Sequence, residues 1–239
     1  MATSYIHEQN FQIARGLIRG ASHINKFGYN PDVGSNFETV WDGSNLYTYI
    51  GTAGTALVTS SNTSDDNNGT VEIQGLDANY NVQTVTATIG GSATTETFIR
   101  VFRVKLLTAN TGTSNVGTIT VTVDSTAAAI ISPTKGQTLM AVYTIPAGKK
   151  GYLLKLQGNL EKAKESEFQL MVKPFGGAFN IKGKFGSSGD VVNYDYPVPL
   201  EFDEKTDIEI QVRAGATTAA GALFDIILLD NPRTMYTGS

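Results

Sequence analysis

Thr118-Ile119-Thr120-Val121-Thr122-Val123 alternates a hydroxylated β-former with an aliphatic residue at every step, and Thr84-Val85-Thr86-Ala87-Thr88-Ile89 does the same. Period-2 alternation puts every aliphatic side chain on one face of an extended chain, the pattern of an antiparallel strand with one face in a core. Asp207-Ile208-Glu209-Ile210-Gln211-Val212 repeats it with charged and amide residues as the polar partners. Thr97–Leu107 differs: Phe98, Ile99, Val101 and Phe102 fall on both faces, which predicts a strand covered on both sides in its first half. Further candidate strands are Thr138–Ile145, Gly151–Leu160, Glu167–Lys173, Phe179–Phe185, Val198–Phe202 and Ala222–Leu229. Turn clusters at Asn62–Gly69, Gly90-Gly91-Ser92, Asn110–Asn115, Pro146-Ala147-Gly148 and Pro174-Phe175-Gly176-Gly177 separate them. Short strands spaced by roughly 8–12 residues predict a mainly β chain built as two antiparallel β-sandwich domains of jelly-roll or immunoglobulin-like style.

Composition divides the chain. Of 239 residues, 41% are hydrophobic and only 17% charged, against a usual charged share of about 25%. Of the 29 Thr, 23 lie between Thr39 and Thr144, whereas ten of the twelve Lys lie from Lys135 to Lys205. This shift predicts three segments: residues 1–34 as an N-terminal helix and linker, 35–127 as a Thr-rich β-domain, and 128–239 as a Lys-richer one. The two β-domains would join near Asp124–Pro133. One large sandwich with two differently dressed halves is the competing arrangement.

Ser4–Arg19 reads as a short amphipathic helix, with Ile6, Ile13 and Leu17 near one face and Phe11 and Ile18 beside it. Gly20 is a stop signal. Phe11, Ile13, Leu17 and Ile18 form a candidate anchor, either packed on their own domain or docked on a neighbouring subunit. Ile24–Gly34, with Pro31 between Gly28 and Gly34, reads as a linker.

Chemical signatures are sparse. Cys is absent and His is limited to His7 and His23, which removes thiol nucleophiles, cysteine–zinc sites and most histidine-based sites. Ala147-Gly148-Lys149-Lys150 has no Gly at the upstream position a phosphate loop requires, and Gly186-Ser187-Ser188-Gly189 is not a nucleophile elbow. Asp65 and Asp66 suggest a surface cation, but the position of an EF-hand's last ligand falls on Gly75, so a polar turn is the default. No catalytic residue, cofactor or metal is predicted, and the chain reads as a non-enzyme. A net charge of −4 gives no general attraction to nucleic acid. No apolar run approaches the ~18–20 residues of a membrane helix, and the opening MATSYIHEQN has neither a basic nor an apolar leader region, so no secretory signal is expected. Trp41, Tyr47 and Tyr49 cluster as a candidate aromatic surface for sugar or protein, with a core edge as the alternative.

Several stretches carry a family resemblance: Ile24-Asn25-Lys26-Phe27-Gly28-Tyr29-Asn30-Pro31-Asp32-Val33-Gly34, Val40-Trp41-Asp42-Gly43, Ile73-Gln74-Gly75-Leu76-Asp77-Ala78-Asn79-Tyr80, Ile145–Tyr152 and Glu204–Ile208. In these the chain resembles β-rich virion structural proteins of marine tailed bacteriophages, of cyanophage and pelagiphage type. The resemblance implies a virion location and a non-enzymatic role, as a decorating component on the capsid or the capsid–tail junction. It implies partners among its own copies, with a trimer expected, and among other virion proteins such as major capsid or tail proteins. It brings no nucleic-acid or membrane partner and no catalytic residues. A tail-associated module contacting host glycan or protein, and a cellular carbohydrate-binding or hydrolytic β-sandwich, are the alternatives.

Overall fold

The computed structural model describes residue 9 and residues 11–162, 165–188 and 191–231. The first strand, β1 (Ala21–Val33), is followed by the two-residue β2 (Glu38–Thr39). Seven strands come next: β3 (Gly54–Ser60), β4 (Thr70–Leu76), β5 (Val82–Thr88), β6 (Thr97–Phe98), β7 (Arg100–Thr108), β8 (Ile119–Val123) and β9 (Thr126–Ile131). The chain closes with β10 (Val142–Thr144), β11 (Lys149–Leu160), β12 (Glu165–Lys173), β13 (Asn180–Ser188), β14 (Val192–Phe202), β15 (Asp207–Ala214) and β16 (Thr218–Asp230).

The connectivity of the outer strands defines the architecture. One sheet has the order β1-β16-β11-β14, the other β10-β15-β12-β13, with β2 beside β10 on β15. Numbered one to eight in chain order, β1 and β10–β16 pair first with eighth, second with seventh, third with sixth and fourth with fifth, all antiparallel. The β16·β11 and β15·β12 ladders then complete the two sheets. An antiparallel ribbon folded back on itself and rolled in this way is an eight-stranded jelly roll. Its interior is filled from one sheet by Leu153, Leu156, Phe224 and Ile226, and from the other by Phe168, Leu170, Ile208 and Ile210. Gly158 lies on that inner face: a Cβ there would stand 2.7 Å from a Phe168 ring atom, so the ring occupies the space a side chain would need.

The Thr-rich region is an insertion in this jelly roll. β3–β9 form two small antiparallel sheets, β6-β3-β8-β9 and β5-β4-β7. The alternation of Thr118–Val123 is realised in β8, where Ile119, Val121 and Val123 are buried between half-buried threonines. Asp124 and Ser125 both adopt left-handed φ values, 45° and 62°, as a tight turn between β8 and β9 requires. The buried residues of both lobes form one continuous core.

Three expectations change. Residues 21–33 are not a linker: β1 pairs along β16 from Ala21–Leu229 to Val33–Thr218 and so starts the jelly roll. The second sandwich therefore does not begin at residue 128, because β9 still pairs with β8 in the inserted lobe, and Asp124–Ser125 is a hairpin turn inside that lobe. The two β-regions are nested, not in tandem. Of the N-terminal helix, residue 9 and residues 11–14 are helical and 15–16 a turn; Ser4–Glu8 and Asn10 lie outside the described residues.

Candidate functional site

The lobes meet over the outward face of the β10-β15-β12-β13 sheet. Alternation along β15 sends Ile208, Ile210 and Val212 into the jelly roll and Asp207, Glu209 and Gln211 to the other side, yet these polar residues are buried too. The chain between β2 and β3 covers them. Its aromatic residues Trp41, Tyr47 and Tyr49, continued by Phe179 from the β12–β13 connection, form a ladder with successive ring centroids 5.1, 5.0 and 5.3 Å apart.

Buried polar groups must be hydrogen-bonded or they cost several kcal/mol, on the order of the value for transfer without compensation. Here they are. Arg100 of β7 binds Asp207 through two parallel bonds, Nε to Oδ1 and Nη2 to Oδ2, each 2.8 Å. Its Nη1 donates to the carbonyls of Ile50 and Ile99, and Thr144 Oγ1 donates to Asp207 Oδ1 at 2.7 Å. The guanidinium also lies over the rings of Tyr49 and Tyr80, at 5.1 and 5.6 Å. Beside this pair, Glu209 accepts from Thr39, Tyr49 and Gln211, and Gln211 accepts from Gln169 at 2.7 Å. Burial pushes the Glu209 carboxyl up to about 7 and the Tyr49 hydroxyl well above its usual range. Across the junction, Lys26 of β1 donates to the Phe102 carbonyl, and burial lowers its ammonium to about 7.

At one end of this network the surface opens into a cleft of about 380 Å³, lined by Tyr49, Tyr80, Arg100, Lys173, Phe175 and Lys205 among others. Three turns build it: Asp77–Asn81 between β4 and β5, Pro174–Gly177 between β12 and β13, and residues 203–206 between β14 and β15. The first is tied to the jelly roll by Ala147 N donating to the Tyr80 carbonyl at 2.9 Å, the third by Lys205 N donating to the Ile145 carbonyl at 2.7 Å. Phe175 is 63% exposed and meets Tyr80 edge-on at 5.7 Å. The Lys205 ammonium stands 4.9 Å from the Phe175 centroid and 5.5 Å from that of Tyr80.

The residues singled out from sequence are distributed differently. Trp41 and Tyr47 are only 5% and 6% exposed, so they are core and not an aromatic surface; the Tyr47 hydroxyl donates to the Ala128 carbonyl at 2.9 Å. Tyr49 alone of the three reaches the cleft. Phe11 and Leu17 are exposed, at 62% and 61%, whereas Ile13 lines a second cavity with His23, Leu154 and Ile227 on the outer face of the jelly roll. Ile18 is half-buried. Asp66 does not face solvent as a cation ligand: its carboxylate accepts from Ser60 and from the backbone of Val116 and Gly117, while Asp65 accepts from Asn62. Among the described residues no three His, Asp or Glu side chains come together as a metal-binding group. Sequence reasoning did not single out Tyr80, Phe175 or Lys205 as a site; the turn carrying Phe175 was visible and the one carrying Tyr80 was not, and nothing local in either indicates that they meet.

No protein-family description matches this chain, and no curated protein does. Solved structures it is similar to include infectious bursal disease virus Gt strain, at 10% identity over 88% of this chain and 72% of that one, with a TM-score of 0.21. The Gx strain gives 8% identity, coverages of 87% and 74%, and a TM-score of 0.20. The VP2 subviral particle of the same virus gives 9%, 89% and 77%, and 0.18. The architecture is defined by its own strand pairing.

Proposed function

We propose that this chain is a non-enzymatic structural protein of a virion, carried on the capsid or at the capsid–tail junction as a decorating component and assembled with further copies of itself. The observation that carries this reading is the jelly-roll pairing of first with eighth through fourth with fifth strand, an architecture shared by virus coat domains and lectins. Because one fold hosts many functions, the reading also draws on the resemblance of Ile24–Gly34, Val40–Gly43 and Ile73–Tyr80 to phage virion proteins. An inserted Thr-faced lobe suits a display role, since it presents hydroxyl groups whose contacts survive high salt better than exposed ion pairs. Phe11 and Leu17, exposed beside the half-buried Ile13, supply the anchor toward a neighbouring subunit.

Particles purified on a density gradient test this directly. The chain should co-purify in fixed stoichiometry and be labelled by antibody on intact particles. Its absence from particles that are otherwise complete would overturn the reading. The purified protein should also sediment as a homo-oligomer, with a trimer expected. The alternative, a tail-associated module that contacts a host surface, draws on the exposed aromatic cleft, and labelling confined to the tail tip would select it.

A further inference from the structure

We infer that the cleft between the lobes is a binding site for an acidic saccharide, with the exposed Phe175 as its stacking ring, Tyr80 set edge-on against it, and Lys205 and Lys173 as its carboxylate ligands. The inference holds wherever the protein resides and does not rest on the virion reading.

Backbone conformation is the first support. Seven described non-glycine residues have positive φ; five are Ser, Asn, Asp or Thr, the types found in turns. The other two are Tyr80, at 66°, and Lys205, at 62°. Large side chains avoid this region unless their surroundings hold them there, and such strain gathers at functional positions. These two come from different lobes, and their side chains face each other across one cleft. Each turn is fixed by a backbone bond to the Ile145–Ala147 segment, so the strained positions are over-determined rather than loose.

Charge is the second. Arg100 in the floor is neutralised by Asp207, so it offers no net charge to a ligand. The ion pairs among the described residues engage His23, Arg100, Lys105, Lys149, Lys150, Lys184 and Arg213, and leave Lys173 and Lys205 without a carboxylate. Both ammonium groups instead lie over rings, Lys173 over Phe179 and Lys205 over Tyr80 and Phe175. Held there, each keeps donors free for an anion at the cleft's edge.

Shape and surface are the third. An open-sided cleft of about 380 Å³ bordered by an exposed aromatic ring suits a sugar, whose C–H face packs on an aromatic face while its hydroxyls stay wet. A uronic acid adds the carboxylate that the two lysines lack. An extended acidic peptide would satisfy the charge but has no ring face to lay on Phe175.

Isothermal titration of the purified full chain with trigalacturonate, its fully methyl-esterified neutral form, and hexaglutamate decides the matter. Trigalacturonate should bind with a Kd of about 1 mM or tighter. The ester should bind at least fivefold more weakly, and hexaglutamate should not compete. Phe175→Ala and Lys205→Gln should each weaken binding at least fivefold while leaving the melting temperature within about 2 °C of the parent, as expected of changes at the surface. No heat of binding at 10 mM trigalacturonate, equal affinity for the ester, or affinity unchanged in both variants would each overturn the inference. Tighter binding of hexaglutamate would overturn it too, by assigning the cleft to a protein partner.

Discussion

The Arg100–Asp207 pair joins the inserted lobe to the jelly roll, and removing one partner isolates a buried charge. In Arg100→Met, Asp207 would keep only the Thr144 hydroxyl as a donor, in a place where its side chain is 3% exposed. The carbonyls of Ile50 and Ile99 would lose a shared partner as well. Breaking a buried pair from one side costs about 3–5 kcal/mol. For a chain of this size each kcal/mol moves the midpoint by roughly 2–4 °C, so a fall of about 6–20 °C is expected. Replacing both partners, Arg100→Met with Asp207→Leu, removes the stranded charge and should recover at least half of that loss. Trp41, the one tryptophan, bridges to Met140 at the junction and reports the transition by fluorescence in a urea titration. A loss below about 1 kcal/mol in Arg100→Met would refute the assigned role of the pair. A double variant no more stable than the single would show instead that the cost arises from lost packing on Tyr49 and Tyr80.

Further expectations concern pH, close packing and the N-terminal segment. Glu209 has a raised carboxyl, near 7, so its stabilising contribution is full below the unfolded value of about 4.3 and is lost as pH rises through 7; Glu209→Gln should flatten the fall in midpoint between pH 5 and 7. Lys26 has a lowered ammonium, near 7, so its contribution is full above the unfolded value of about 10.4 and is lost as pH falls through 7; Lys26→Met should flatten the rise in midpoint between pH 7 and 10. Unchanged slopes in both variants would contradict the burial of these charges. A Cβ on Gly28 would stand 2.1 Å from the Val40 carbonyl oxygen and 2.4 Å from the Ala141 nitrogen, both backbone, so Gly28→Ala should lose at least about 1–3 kcal/mol in chemical denaturation. Among the described residues, deleting 1–20 removes Ile13 and Ile18, which are only half-buried, and Phe11 and Leu17, which are exposed, so the truncated chain should melt within about 5 °C of the parent yet fail to join particles. Normal incorporation, or a much larger drop in melting temperature, would defeat the anchor.

The strands that alternate cleanly were legible because their partners are near and their buried faces are strictly periodic. Thr84–Thr88 lies in β5, Thr118–Val123 contains β8, and every strand expected after Thr138 is present in some form. β1 was not legible. Gly28 and Pro31 interrupt it, no alternation marks it, and its ladder is with β16, some two hundred residues away in sequence. Missing that strand turned a nested arrangement into a tandem one. The threonine-rich stretch had already marked both ends of the insertion: Thr39 closes β2 and Thr144 closes β10, both paired to β15 where the chain leaves and re-enters the jelly roll.

The candidate site was legible only in parts. Asp207, Glu209 and Gln211 look like an exposed strand face, because alternation tells which residues share a side and not what covers it. Here the covering segment is Trp41–Ile50, so an apparent aromatic surface became a core and a polar face became a buried network. Tyr80, Phe175 and Lys205 stand on three separate turns, and only the rolled topology brings them together.

Cryo-electron microscopy of the intact particle is the decisive measurement for a place on the virion. Density for this chain is expected at a fixed symmetric position, with the β1-β16-β11-β14 sheet and residues 11–18 toward the neighbouring subunit and the inserted lobe, β3–β9, outward. A complete, well-resolved particle with every density assigned to other chains would contradict it.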